Sequence, residues 1–308
     1  MNGGLWLNLA VFMGVLLLLA RPLGNVMADV YEGRTPAWLR WLGPFERGLY
    51  RLGGVRTNET MSWKRYAAAF LASQVVGLVL LFVLQLLQEV LPLNPAGLAA
   101  PPWHLALNTA ISFVTNTNWQ SYGGETTLSY LVQSLGLTVQ NFVSAGAGMA
   151  VMVALARGFS RRKSGEIGNY WVDLTRGVVF ILLPLAIVVS VVLVAQGVVQ
   201  TWGPYLATQP IDGHAQLIAR GPAAAQVAIK QLGTNGGGFF NVNSAHPLEN
   251  PTPLTNLVEM FSILLIPVAL AHTWGRLIGS TRQGWALLLA MTILFVPCAV
   301  GVMVAEQS

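Results

Sequence analysis

Six apolar runs constrain this chain more than any other feature: Leu5–Ala20, Tyr66–Leu87, Leu137–Ala156, Val178–Ala195, Leu257–Trp274 and Trp285–Val304. Each is near the roughly 20 residues that a helix rising about 1.5 Å per residue needs to cross a ~30 Å hydrocarbon core. Charged residues make up only 9% of the chain, against about 25% in an ordinary soluble domain. The expected fold is therefore all-α and polytopic, with six spanning helices. The first run lacks the basic start of a signal peptide and has no small-residue cleavage site before the loop expected at Arg21-Pro22-Leu23-Gly24, so it is read as a spanning helix.

The basic residues give the expected orientation. Of the 17 lysines and arginines, all but Arg220 and Lys230 fall in the connections after helices one, three and five: 21–65, 157–176 including Arg161, Arg162 and Lys163, and Arg276 with Arg282. The positive-inside rule places those connections in the cytoplasm and the amino terminus outside. A distribution set by topology, rather than a basic face interleaved with aromatics, argues against nucleic acid as the partner. The first basic connection, 21–65, is long enough for an ordered partner contact and equally suited to anionic lipid. The single cysteine, Cys298, excludes a disulfide framework and is read as a small buried packing residue.

The two long outer connections follow one plan. Pro101-Pro102 opens the apolar stretch 103–114, which ends at Thr115-Asn116-Thr117-Asn118; Gly221-Pro222 opens 223–232, which ends at Gly233-Thr234-Asn235-Gly236-Gly237-Gly238. Proline suits a helix start and the closing residues stop it. About three helical turns reach roughly 16 Å, half the hydrocarbon thickness, so such a segment enters without crossing. Irregular backbone at that depth is tolerated only inside protein or along a hydrated path. The half-helix carboxyl end favours a cation, and extended carbonyls after it can replace a cation's water. Gly236, Gly237 and Gly238 permit positive φ, and asparagine is the next most tolerant residue. Thr115-Asn116 and Thr234-Asn235 are expected to be equivalent, about 119 residues apart, and repeated broken segments mark transport sites.

The wording of these loops resembles one family. The run Ser112-Phe113-Val114-Thr115-Asn116-Thr117-Asn118-Trp119-Gln120-Ser121-Tyr122, with Gln140-Asn141-Phe142 behind it, is similar to the first filter of the potassium-binding subunits of Kdp potassium-transporting ATPases. Leu232-Gly233-Thr234-Asn235-Gly236-Gly237-Gly238-Phe239-Phe240-Asn241, with His246-Pro247 and Glu249-Asn250-Pro251-Thr252, is similar to the second. Agreement at Leu91-Pro92-Leu93-Asn94-Pro95 and Trp171-Val172-Asp173-Leu174 extends the resemblance along the chain.

The resemblance implies four helix, pore-loop, helix repeats around one potassium path in a bacterial inner membrane. It also implies a complex with two small membrane subunits and a P-type ATPase catalytic subunit, with ATP and Mg2+ only on the partner. Carried over by position, Thr115, Asn116, Thr117 and Asn118 supply one quarter of the filter, and Thr234, Asn235 and Gly236 another. The implied organisation is an amino-terminal helix and basic connection over 1–65, a first repeat over 66–156, a cytoplasmic connection over 157–177, a second repeat over 178–274, and over 275–308 a turn and the first helix of a third repeat. The chain is thus expected to be a half-length piece, with two quarters of a filter.

Other residues have more than one reading. Gln120 and Glu125, with Gly237 and Gly238, either line the outer mouth or support the loop backbone. Lys230 is expected to snorkel outward or to pair with a carboxylate, and Glu249 and Asn250 to support the second loop. His104, His214, His246 and His272 lack metal-ligand spacing, and Gly146-Ala147-Gly148 suits close helix packing. No Walker A or aspartyl-phosphate signature occurs, and the spans carry no clustered His, Asp or Glu of a membrane enzyme. The alternative reading is a freestanding potassium channel or symporter of the same superfamily.

Overall fold

The computed structural model describes residues 3–160, 165–209, 211, 213–240 and 242–306. Arg161, Arg162, Lys163 and Asn241 lie outside them. Six helices are long and apolar enough to cross a membrane: Trp6–Tyr31 within the longer helix Gly3–Tyr31, then Trp63–Leu86, Val132–Ser160, Tyr170–Ala195, Pro253–Leu277 and Thr281–Ala305. They are called here helices one to six. The protein is an all-α, multi-pass membrane protein. Its strands are short: Met61–Ser62 pairs antiparallel with Glu166–Gly168, and Leu206–Thr208 with Gln216–Ile218.

Two half-length helices, Trp103–Val114 and Ala223–Leu232, occupy the connections between helices two and three and between helices four and five. Pro102 and Pro222 stand at their N-caps, as expected for residues that need no amide partner there. The first half-helix packs on helix two, the second on helices four and five.

Helix one departs from expectation. It does not stop at Arg21-Pro22 but continues to Tyr31 with Pro22 inside it. Its second half lies along helix five, where Thr273 Oγ1 donates to the Gly24 carbonyl at 3.1 Å and Arg276 Nη1 to the Asn25 carbonyl at 3.1 Å. Arg276 Nη2 meets Asp29 at 3.0 Å. These tertiary contacts outweigh the local cost of proline. Helix four likewise begins earlier than its apolar run. Asn169 accepts from the Trp171 amide at 3.1 Å and caps it, so 170–177, expected as connection, is helical. Helix three opens with a π-helical stretch, Val132–Thr138, where the Thr138 hydroxyl donates to the Gln133 carbonyl at 2.9 Å.

Gly146 fits the packing expectation, since a Cβ there would lie 2.8 Å from Val178 Cγ2 on helix four, whereas Gly148 has nothing within 4 Å. Cys298 is exposed, not buried. Helix six packs chiefly on helix five, and most of its surface is bare.

One buried ion pair gathers the basic end of the bundle. Arg157, near the end of helix three, forms a two-pronged contact with Asp173 of helix four at 2.6 and 2.9 Å. It also donates to the carbonyls of Tyr31 and Ile167, both at 3.2 Å, while the Tyr66 hydroxyl meets Asp173 at 3.0 Å. Helices one, two, three and four thus converge on one carboxylate whose side chain is 1% exposed. Removing one partner of such a pair leaves an uncompensated charge. Asp173→Asn is expected to cost roughly 3 kcal/mol or more, read as a lowered unfolding midpoint of the detergent-solubilised protein; an unchanged midpoint would show that the pair contributes nothing.

Candidate functional site

Each half-helix ends by folding its loop back over its own last turn, and the two endings match in detail. In the first, Ser112 O accepts from the amides of Thr117 and Asn118, both at 3.0 Å. In the second, Lys230 O accepts from the amides of Asn235 at 2.9 Å and Gly236 at 3.4 Å. Left-handed backbone occurs at Asn116 (φ 62°) and Asn118 (φ 54°) in one loop, and at Thr234 (φ 52°) and Gly236 (φ 91°) in the other. Hydrogen bonds and dihedrals therefore equate Asn116 with Thr234 and Asn118 with Gly236, a spacing of 118 residues. This corrects the expected spacing of 119. The shared Thr-Asn wording is out of register with the shared conformation by one residue.

The absence of a side chain matters at two glycines. Gly236 adopts a left-handed φ that asparagine tolerates at the equivalent position. At Gly237 a Cβ would lie 2.6 Å from the Asn118 carbonyl oxygen and 2.7 Å from the Phe113 ring. The two loops touch there.

Polar side chains bridge the loops elsewhere. Asn235 Nδ2 donates to Asn116 Oδ1, which also accepts from the Ser144 hydroxyl of helix three at 2.8 Å. Asn116 Nδ2 donates to the Gly233 carbonyl at 3.2 Å. Asn118, buried, reaches Asn141 Oδ1 of helix three at 2.5 Å. Gln120 Oε1 accepts from the Gly238 amide at 2.9 Å, a bond from one loop to the other. Glu125 is half-buried, and its carbonyl accepts from the Tyr205 hydroxyl. Thr115, Thr117 and Thr234 are exposed. Beside the loops, Asn116, Ser144, Gly233 and Thr234 share a cavity of ≈ 170 Å³ with apolar residues such as Leu182 and Ile266.

Of the two expectations for Lys230, pairing is the one seen. Its ammonium meets Glu249 at 2.7 Å with both side chains fully buried. Glu249 also accepts from the Ser244 amide at 2.7 Å, which fits the loop-support reading, and Asn250 Oδ1 accepts from Thr255 at 2.6 Å. His246 stacks on Phe240 with ring centroids 3.8 Å apart, and its Nδ1 accepts from the Leu248 amide.

Several supports escaped the motif reading. Gln88, in the turn just past helix two, is fully buried and ties the irregular outer connection together through Ala99 O, Thr127 O and the Ser129 amide at 2.6 to 3.0 Å. Gln226 meets Gln133 Oε1 at 3.2 Å and joins the second half-helix to helix three. Ser144 belongs with them. Their signal is a polar residue inside or at the edge of an apolar run, which at membrane depth points inward.

Paired half-helices whose broken backbones brace each other define a multi-pass helical membrane protein built around two facing loops. A family described as the potassium-transporting ATPase A subunit matches residues 10–308, and the chain belongs to it. It is 56% identical over 308 residues to a protein of Sorangium cellulosum, covering 97% of this chain and 53% of that one. It is also 56% identical over 311 residues to one of Herpetosiphon aurantiacus, covering 98% and 54%. A protein of Laribacter hongkongensis is 56% identical over 308 residues, with 100% and 54% covered. Each of these relatives is named potassium-transporting ATPase potassium-binding subunit. The chain spans about half the length of the curated relatives it matches.

The loop geometry predicts an order of sensitivity. Gly237→Ala must displace an opposing carbonyl and an aromatic ring, whereas Gly236→Ala meets only Asn243 Nδ2 at 4.0 Å and costs only the left-handed conformation, about 1 to 2 kcal/mol. Thermal unfolding should therefore place Gly237→Ala below Gly236→Ala. The reverse order would show that the loops do not pack as described.

Proposed function

We propose that this chain supplies two of the loops that select potassium in an ATP-driven uptake complex. The observation that carries the reading is the matched pair of half-helix endings, related by 118 residues, meeting at Asn116 and Asn235. Both half-helices present their carboxyl ends, with about half a unit of negative charge, to the same junction. A dehydrated cation is stabilised there by backbone oxygen and by no full negative charge, which suits potassium as the transported ion. Thr115, Asn116, Thr117 and Asn118 form one quarter of the filter; Thr234, Asn235 and Gly236 form another. Glu125 enriches cations at the outer mouth. Gln120, Gly237 and Gly238 hold the loops.

The names of the relatives support a place in a potassium-transporting ATPase, and the remainder of the reading rests on the pattern of basic residues and on the resemblance of the loops. Residues 66–156 and 178–274 are two of the repeats around one path, and 275–308 opens a third. The amino terminus is periplasmic and the basic connections are cytoplasmic, in a bacterial inner membrane. Selected ions pass to a P-type ATPase subunit, which holds ATP and Mg2+, in a complex with two small subunits.

The test is Gly236→Asp in a complex containing all four repeats. A carboxylate at this left-handed, half-buried position should weaken apparent potassium affinity by at least about tenfold, equal to about 1.4 kcal/mol. Unchanged uptake at micromolar potassium would overturn the filter assignment.

A further inference from the structure

The buried Lys230–Glu249 pair has no counterpart in the first loop, where Ser112 occupies the equivalent position. Both residues use the main chain in the same way, each carbonyl accepting from two amides of its loop. Their side chains then act on the returning strand by different chemistry. The Ser112 hydroxyl donates to the Trp119 carbonyl at 2.9 Å. The Lys230 ammonium lies 2.8 Å from where a Cβ of Gly238 would stand, one residue beyond the equivalent of Trp119. It does not bond the strand directly and instead reaches Glu249.

Glu249 completes the hold. One carboxylate oxygen accepts from Lys230 and from the Ser244 amide, both at 2.7 Å, and the other from the Phe240 amide at 3.4 Å. Asn243 (φ 38°) and Ser244 (φ 49°) are left-handed, a conformation uncommon for residues other than glycine and asparagine. Gln231 supports the same turn, donating to Ser244 Oγ and to Glu259 Oε2, both at 2.7 Å. The glycine run 236–238 is thus held at its start by the Lys230 carbonyl and backed at its end by the Lys230–Glu249 pair, whose carboxylate accepts from the Phe240 amide.

Resting on the filter reading above, we propose that the Lys230–Glu249 pair is a positioning clamp for the second loop and sets how closely that quarter of the filter discriminates potassium from cations of similar size. The pairing also neutralises an ammonium that would otherwise repel the transported ion. A charge-neutral substitute preserves neutrality but not the grip, so the two roles separate experimentally.

The experiment compares potassium and rubidium in the complete four-repeat protein in complex with its ATPase partner, using ATPase stimulation and equilibrium ion binding. The double variant Lys230→Met/Glu249→Gln should lose about tenfold in the potassium-to-rubidium affinity ratio, equal to about 1.4 kcal/mol. Glu249→Asp, which shortens the carboxylate arm, should lose ratio in the same direction, and Lys230→Arg should retain most of it. If the double variant fails to assemble, Glu249→Asp decides alone. A wild-type ratio in Glu249→Asp, or in an assembled double variant, overturns the clamp. Gly236→Ala is the control: a changed ratio there beside unchanged clamp variants rejects only the clamp, whereas unchanged ratios in every variant reject the filter reading itself.

Discussion

A helix that stops halfway through a membrane leaves carbonyls and amides that lipid cannot satisfy, each unpaired group costing several kcal/mol. The architecture around residues 112–120 and 230–244 answers that constraint. The first source of partners is local, with Ser112 O and Lys230 O each accepting from two loop amides. The second is the opposite loop, through Asn116 to Gly233 and Gln120 to Gly238. The third is helix three, which turns Asn141 and Ser144 toward the loops. Neither loop is satisfied by its own repeat alone. The two half-helices must be brought together, and the packing of helix three against both provides the means.

The same demand explains where polar residues are placed along the chain. Gln88, Gln133, Asn141, Gln226 and Glu259 are nearly or fully buried, in segments that hydropathy alone would treat as uniform. Each sits beside irregular backbone or beside another such residue. At the other end of the bundle, Arg157 and Asp173 perform a comparable task for the helix ends. The positive-inside bias and the structural hub therefore share a residue: Arg157 counts toward orientation while its guanidinium is committed to a buried carboxylate.

Much of this was legible in the sequence. Run length located six spans, and proline followed by about three apolar turns located both half-helices. What was not legible depended on geometry across the chain. Thr115-Asn116 and Thr234-Asn235 match as text, yet the backbone pairs Asn116 with Thr234, because left-handed φ and carbonyl acceptance fall one residue earlier in the second motif than in the first. Letter identity reports side chains, whereas the loop is defined by main-chain direction. Helix one passed through Pro22 because Gly24, Asn25 and Asp29 find partners on helix five, and no local rule anticipates a partner more than 240 residues away. Cys298 lies on a helix with one main neighbour, so its burial could not be inferred from its apolar surroundings.

The difference between the loops has a physical reason. The first is built from Thr115 to Asn118, residues with side chains that brace themselves, as the Thr115–Thr117 contact at 3.1 Å and the Asn118–Asn141 contact show. The second runs from Asn235 into three glycines, 236–238, which lose more conformational freedom on ordering than any other residue and have no side chain to offer. Gly237 must remain bare because the opposing Asn118 carbonyl occupies the space of a Cβ. Order in that strand has to be imposed from behind. A neutral hydroxyl suffices behind the self-braced loop, whereas charge-assisted hydrogen bonds, roughly twice as strong as neutral ones, stand behind the glycine run. The desolvation of Lys230 and Glu249 is a real cost, offset where three donors converge on one carboxylate. Close approach of the two loops keeps Gly237 bare, and close approach of the buried pair keeps Gly238 bare: the glycine run lies between the opposing loop and the charges that back it.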